Sequence, residues 1–274
     1  IKMHGAGNDY IYLDLLEQVP DLDFPGLARA MSPRHFGVGA DGLVLILRDG
    51  AATGGTPAGT PVSDTAGDPV SFRMRMFNAD GSEAEMCGNA VRCVGKYLFD
   101  NGHAGERMRI LTGAGVKTVS VVERGPEGAR LLRVDMGRPF LAGGDIPVSV
   151  DAEPVIDLEV GGYRGAAVGM GNPHFVIFTD RITDRMVLED GPRLEKAAVF
   201  PKKTNVEFVQ VLGLDRIRMR VWERGSGETL ACGTGACAAA VASAVTGRTG
   251  REVDVELRGG TLRIQWAQDG TVFL

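Results

Sequence analysis

Hydrophobic and polar positions along the chain alternate in a way that predicts many short strands and only a few helices. Strands are predicted where β-branched and aromatic residues are bounded by turn residues: YIYLDL (10–15), GLVLIL (42–47), KTVSVVE (117–123), ARLLRVDM (129–136), FVIFTD (175–180), VEFVQVL (206–212), IRMRVWE (217–223) and EVDVELRGGTLRIQW (252–266). Apolar residues at helical spacing predict helices near 25–32, 90–101, 190–198 and 235–246.

The same pattern suggests where the chain divides. Residues 49–71 are rich in Gly, Ala, Thr and Pro and contain little to bury, so they are predicted to form a mobile surface insertion without chemistry of its own. A domain break is predicted near 114–118, which gives an N-terminal domain 1–116 and a C-terminal domain 117–262. Whether the last strand, 263–274, returns to the first domain is left open.

Two cysteines each precede a glycine and a predicted helix. ACGTGACAAAVAS (231–243) contains Cys232, and EMCGNAVRC (85–93) contains Cys87. Aligned without a gap on these cysteines, 75–93 and 220–238 match at five positions: Arg75 with Arg220, Phe77 with Trp222, Glu83 with Glu228, Cys87 with Cys232, and Gly88 with Gly233. A weaker match joins GNDYIYLD (7–14) to GNPHFVIF (171–178). The chain is therefore predicted to consist of two related halves, each with one thiol.

Composition excludes several classes of function. A net charge of −5 with interspersed charges argues against nucleic-acid binding. No apolar run reaches 18 residues, which argues against a transmembrane helix, and the N-terminus lacks the apolar core of a signal peptide. Four cysteines in 274 residues do not form a disulfide scaffold, so a cytoplasmic location is expected. The C-x5-C and C-x4-C spacings do not match zinc sites, and no metal is predicted.

A thiol at a helix start has a recognisable chemistry. Unpaired N–H groups and the helix dipole favour negative charge there, so the pKa of Cys232 is expected to be lowered; the alternative is a buried, inert cysteine. Two such thiols could face each other across a cleft, one removing a proton from a carbon and the other delivering a proton to the opposite face. The N–H groups of Gly88–Asn89 and Gly233–Thr234 could hold an anion. No nucleotide or pyridoxal motif is present, which favours a reaction without a cofactor.

The signature segments resemble diaminopimelate epimerases. These segments are KMHGAGNDYIYLD, FNADGSEAEMCGNAVRC, GNPHFVIF, TNVEFV and WERGSGETLACGTGACA, and they span residues 2 to about 238. The resemblance implies cofactor-independent interconversion of LL- and meso-diaminopimelate in lysine and cell-wall precursor synthesis. It also implies an α+β fold of two pseudo-symmetric domains, each a curved, mainly antiparallel sheet around a central helix.

The resemblance also assigns roles to individual residues. Cys87 and Cys232 match the acid/base thiols, and His174 and Glu223 match positions that assist thiol deprotonation. Glu223 and Arg224 also match a pair that binds the distal amino and carboxylate groups of the substrate. The remaining substrate-binding positions are asparagines: Asn8, Asn78, Asn172 and Asn205. From the residues alone, Asn8 and Asn172 could equally be turn asparagines, a core position is the commoner role for a lone histidine such as His174, and Glu223–Arg224 could be a solvated surface pair.

Some features depart from the family pattern or leave alternatives open. Gly42 stands where some members carry a substrate-contacting glutamine. Gln268 stands where some members carry a tyrosine that forms part of the dimer contact, so the formation of a homodimer is left open. Cys93 and Cys237 are predicted to be packing residues, whereas His4, His35 and His103 receive no role. The alternatives to the epimerase are a related racemase of another amino acid, a thiol redox or metal-binding protein, and a non-catalytic binding module.

Overall fold

The computed structural model describes residues 1–50 and 70–274, which form two compact units, Ile1–Val134 and Asp135–Leu274. Most of the predicted insertion 49–71 lies outside the described residues. Among those residues, no helix combines the length and apolar character needed to cross a membrane.

The first unit is a mainly antiparallel sheet with two helices. Its strands are β1 (Lys2–Gly5), β2 (Asn8–Leu15), β3 (Gly42–Arg48), β4 (Phe72–Asn78), β5 (Glu83–Ala84), β6 (Arg107–Thr112), β7 (Gly115–Gly125) and β8 (Gly128–Gly137), and its helices are α1 (Phe24–Met31) and α2 (Gly88–Asp100). Neighbouring strands pair antiparallel except β2 with β3 and β4 with β6, which are parallel.

The second unit repeats this topology. Its strands are β9 (Leu158–Val160), β10 (Tyr163–Gly169), β11 (Pro173–Phe178), β12 (Asn205–Gly213), β13 (Arg216–Glu223), β14 (Gly227–Glu228), β15 (Glu252–Leu257), β16 (Gly260–Trp266) and β17 (Val272–Phe273). A π-helical turn (Met186–Asp190) leads into α3 (Gly191–Glu195), and α4 (Gly233–Val245) follows β14. The parallel pairs are β11 with β12 and β13 with β15, at the same places in the order as in the first unit. The predicted α+β fold with two pseudo-symmetric halves is confirmed.

Helix α4 is the central helix of the second unit. The sheet curves around it, and every residue from Gly235 to Ser243 is buried. A helix enclosed on all sides must be apolar all round, and small side chains let the strands approach closely. This enclosure explains the alanine-rich sequence that follows Cys232.

The predicted domain limits differ from those of the compact units. The boundary lies at 134/135 rather than 116/117, because β7 pairs with β6 on one side and with β8 on the other, which keeps 117–134 in the first unit. The C-terminal segment stays in the second unit, since β17 pairs with β16 and with Asp135 and Gly137 at the end of β8. The predicted helix 190–198 ends at Glu195 and is preceded by the π-helical turn.

Candidate active site

Each unit presents one cysteine as the N-cap of its long helix. Cys87 precedes α2 with φ −133° and ψ 121°, and Cys232 precedes α4 with φ −122° and ψ 114°. The first N–H groups of a helix have no partners within the helix. Gly88 and Asn89 in one unit, and Gly233 and Thr234 in the other, therefore bring backbone donors next to a thiol, as the sequence pattern predicts.

An ion pair recurs before each cysteine. Arg75 Nε donates to Glu83 Oε1 at 2.7 Å, and Arg220 Nε donates to Glu228 Oε1 at 2.8 Å. In both units the pair ties the long strand to the short strand that leads to the cysteine. The sequence repeat thus corresponds to a repeated structural device that fixes the turn before each thiol.

The sulfur of Cys232 is surrounded by polar groups although the residue is only 6% exposed. The backbone N–H of Gly235 donates to Sγ at 3.4 Å, and Thr234 Oγ1 lies 3.5 Å from it. The carboxylate of Glu223 interacts electrostatically with this thiol and accepts a short hydrogen bond from Thr229 Oγ1. The thiol is thus within reach of hydrogen-bond donors and under the influence of a nearby carboxylate.

The electrostatics of this thiol contradict one expectation. Burial, reinforced by the negative charges of Glu223 and Glu207, raises the pKa of Cys232 well above its ordinary value. The donors at Gly235 and Thr234 act in the opposite direction but do not outweigh burial. The predicted lowering of this pKa is therefore wrong, because the helix start is enclosed with two carboxylates. Burial also raises the pKa of Glu223.

A line of hydrogen bonds runs from the core of the second unit to Cys232. His174 Nδ1 lies 2.7 Å from Glu207 Oε1, and both side chains are fully buried. His174 Nε2 lies 2.9 Å from Asn172 Oδ1, and Asn172 Nδ2 donates to Thr234 Oγ1 over a longer 3.4 Å. No role was predicted for Glu207. The signal that could have identified it is a carboxylate among the apolar residues of strand 206–209.

Asn205 and Arg224 differ in how accessible their side chains are. The amide of Asn205 is 3% exposed and holds two backbone groups: Nδ2 donates to Pro173 O at 2.9 Å, and Oδ1 accepts from Arg224 N at 2.8 Å. Arg224 is exposed, with Nη1 donating to Lys202 O. Asn205 therefore positions the Arg224 backbone, whereas the Arg224 guanidinium is accessible from solvent.

The candidate residues of the first unit lie at β-strand ends and around the start of α2. Asn8 begins β2, and Asn78 ends β4, where its Nδ2 donates to Ser82 Oγ at 3.0 Å. Asn89 is fully buried; its Oδ1 accepts from Arg92, and its Nδ2 has no hydrogen-bond partner among residues 1–50 and 70–274. Cys87 is partly exposed.

Gly42 lies where backbone approaches backbone. A Cβ atom added to it would meet the carbonyl oxygen of Phe77 at 2.1 Å, so a longer side chain requires a shift of the β3–β4 pair. The predicted packing cysteines, Cys93 and Cys237, are both buried.

The fold is shared with known isomerases. A hydroxyproline epimerase from Agrobacterium vitis superposes with a TM-score of 0.63 at 14% identity, over 100% of this chain and 86% of that one. A methylitaconate-delta-isomerase superposes with a TM-score of 0.62 at 15% identity, over 100% and 91% of the two chains. At these identities the likeness establishes the fold class alone.

Sequence comparison identifies the family within that class. The diaminopimelate epimerase family model matches residues 1–141 and 166–274. The chain is 46% identical over 273 residues to the diaminopimelate epimerase of Moorella thermoacetica, covering 97% of this chain and 91% of that protein. It is 49% identical over 280 residues to that of Pelotomaculum thermopropionicum, covering 100% and 93%. The chain belongs to the diaminopimelate epimerase family, a family of isomerases.

Proposed function

We propose that this chain interconverts LL- and meso-2,6-diaminopimelate, by proton removal and return at one α-carbon, without a cofactor. The observation that carries the proposal is the surroundings of Cys232, where a thiol at a helix start is hydrogen-bonded to Gly235 N and Thr234 Oγ1 and interacts with the carboxylate of Glu223. The family relationship and the matching Cys87 N-cap support it. The product would serve lysine and peptidoglycan precursor synthesis.

The reaction requires one thiolate and one thiol. The thiolate takes the α-proton, the C–H electron pair remains on carbon, and the other thiol delivers its proton to the opposite face. Cys87 and Cys232 are the proposed pair, and their roles exchange with the direction of reaction. Each group then works as a general base in one direction and a general acid in the other.

Glu223 is proposed to act on the thiol rather than on the distal end of the substrate. Its carboxylate interacts electrostatically with Cys232 and accepts a hydrogen bond from Thr229. Burial raises the pKa of Glu223, which makes its carboxylate a stronger base than an exposed one and favours its taking the sulfur proton. The resulting thiolate is stabilised by the donors at Gly235 and Thr234.

Substrate recognition is proposed to use both backbone and side-chain groups. The α-carboxylate would accept from the N–H groups of Gly88–Asn89 and Gly233–Thr234, where helix dipoles favour an anion and stabilise charge that develops at the α-carbon. The buried Nδ2 of Asn89 offers a further donor. At the distal centre, Arg224 would bind the second carboxylate, with Asn8, Asn78 and Asn172 as amide partners and Asn205 holding Arg224 in place.

The test is incubation of LL-diaminopimelate with reduced protein in deuterated water. Stereoisomer ratio is followed by chiral chromatography, and deuterium at the α-carbon by mass spectrometry. We expect meso product that carries deuterium at the inverted centre. Absence of both inversion and exchange would refute the proposal, whereas faster turnover of proline or another monocarboxylate amino acid would replace the substrate but keep the reaction class.

A further inference from the structure

The second unit buries an acid–base pair that takes no part in the proton transfers proposed above. Glu207 and His174 are both 0% exposed, and their facing atoms are 2.7 Å apart. Bringing two ionisable side chains into a core costs several kcal/mol per ion before their attraction offsets it, and apolar residues of similar volume often serve stability equally well. The pair therefore requires an explanation other than stability.

The first unit shows that the fold does not need this pair. In the parallel strands β11 and β12, His174 is opposite Asn205, and Val176 is opposite Glu207. In the matching strands β2 and β3, Tyr10 is opposite Gly42, and Tyr12 is opposite Val44. By this register Tyr10 takes the place of His174, and the fully buried Val44 takes the place of Glu207.

A second difference between the units makes room for the carboxylate. A Cβ atom added to Gly235 would lie 2.8 Å from Glu207 Oε1, which is closer than real Cβ contacts come. The residue three places after the cysteine in the first unit is Ala90, which packs there with 0% exposure. The first unit thus combines valine with alanine at these two positions, and the second unit combines glutamate with glycine. In each combination the sizes of the two side chains are adjusted to each other.

The hydrogen bonds around the pair determine where its protons lie. Asn172 donates through Nδ2 to Thr234, so its Oδ1 faces His174 Nε2, which must carry a proton. Nδ1 faces the carboxylate, so one further proton lies between His174 and Glu207. Thr234 Oγ1, having accepted from Asn172, retains its own hydrogen for Cys232 Sγ at 3.5 Å. From His174 Nε2 onward, every donor in the line then points towards the sulfur.

We propose that Glu207 is a positioning residue that keeps His174 doubly donating and so holds a Thr234 hydroxyl donor on the Cys232 thiolate. This inference rests on the proposed function, because a donor on the sulfur matters only if Cys232 acts as a base. Without the carboxylate a neutral imidazole has one N–H, and Asn172 is free to turn its amide. Thr234 would then donate to Asn172 instead of the sulfur.

The first test is independent of turnover. Long-range ¹H–¹⁵N spectra of the imidazole rings distinguish protonated from unprotonated nitrogens, and the signals of His174 are assigned by their loss in His174→Asn among the four histidines of the chain. We expect both His174 nitrogens to be protonated at neutral pH in the native protein, and only one in Glu207→Val/Gly235→Ala. An unprotonated nitrogen in the native protein would overturn the inference whatever the activity.

The second test separates positioning from packing. Glu207→Val/Gly235→Ala installs the first unit's residues at these two positions but leaves buried His174 without its carboxylate partner, so we expect a folded protein with a lowered Tm, and kinetics are measured well below that Tm. Removing the carboxylate that orients a catalytic imidazole costs up to about 10⁴-fold in a catalytic triad. Here the effect must pass through two more groups, so we expect kcat to fall about 10- to 100-fold with KM little changed. Full activity in the double variant would show that Glu207 only fills space.

A half-reaction tests which thiol is affected. Elimination of a leaving group from the β-carbon of a substrate analogue needs only the thiol on the side of the α-hydrogen. The double variant should slow elimination from the stereoisomer that uses Cys232 and spare the one that uses Cys87; equal slowing of both would overturn the inference. Asp190→Asn is the matched control, since it removes another buried carboxylate of this unit, bound to Tyr163 and Arg193, and should change neither the His174 spectrum nor kcat.

Discussion

Glu195 clamps the turn that carries the candidate active-site residue Arg224. Its carboxylate is 4% exposed; Oε2 accepts from the indole Nε1 of Trp222 at 2.9 Å, and Oε1 accepts from Gly225 N at 3.2 Å. Glu195→Ala removes both acceptors at once and leaves an indole N–H and a backbone N–H without these partners. The variant should therefore lower both stability and substrate binding.

The magnitude follows from the two hydrogen bonds. Hydrogen bonds to a charged group contribute about 1.5–3 kcal/mol each, so a net loss of about 3 kcal/mol is a conservative value. At about 2–4 °C per kcal/mol this lowers Tm by roughly 6–12 °C. Because Gly225 follows Arg224 directly, the loosened turn should also raise KM for diaminopimelate more than it lowers kcat.

Thermal unfolding followed by tryptophan fluorescence measures the first effect, since Trp222 is one of two tryptophans in the chain. Steady-state kinetics measure the second. Glu195→Gln retains one acceptor and should lose about half as much Tm, while Glu159→Ala, at an exposed carboxylate of the same unit, should change Tm by about 2 °C or less. A Tm for Glu195→Ala within the range of Glu159→Ala would refute the reasoning.

Three further predictions concern the candidate site. The folded state binds the Glu223 proton more tightly than the unfolded state, so this group destabilises the protein increasingly as the pH rises through its raised pKa. Glu223→Gln should therefore raise Tm, and raise it more at pH 8 than at pH 5. The same variant should abolish inversion. Alanine at either Cys87 or Cys232 should abolish inversion as measured by chiral chromatography, and full turnover by one variant would exclude a two-thiol reaction. Arg224→Ala should raise KM for diaminopimelate about 30-fold or more, as expected for losing about 2 kcal/mol of charge-assisted binding, and an unchanged preference over a monocarboxylate amino acid would refute its role.

Much of the fold was predictable from local signals. The cysteine repeat predicted two halves, and the structure confirms them down to the Arg75–Glu83 and Arg220–Glu228 ion pairs. The strands that were missed have weaker signals: β10 (YRGAAVG) is rich in glycine and alanine, which have low strand propensity, and is held by pairing on both sides. Strand pairing over long sequence distances supplies what the local pattern lacks.

The chemistry of the site was less accessible to sequence reasoning. A helix start lowers the pKa of a thiol only where the thiol stays solvated. The enclosure of Cys232 and the approach of Glu207 depend on residues 25 or more positions away in the sequence. Neither can be derived from the sequence around the cysteine. Glu207 itself lies in a strand whose apolar neighbours suggest core packing. Its relation to the thiol depends on the register of β11 with β12, which no local pattern specifies.

The contrast between the two thiols bears on how a two-base reaction is primed. Asn78 occupies, in the first unit, the place that Glu223 occupies in the second, and the carboxylate of Glu223 interacts with the thiol of Cys232. Burial together with negative charge holds the proton on the Cys232 side, on sulfur or on Glu223. The duplicated fold thus carries an amide and a carboxylate at corresponding positions, so the two repeats differ there in charge and in the capacity to take up a proton.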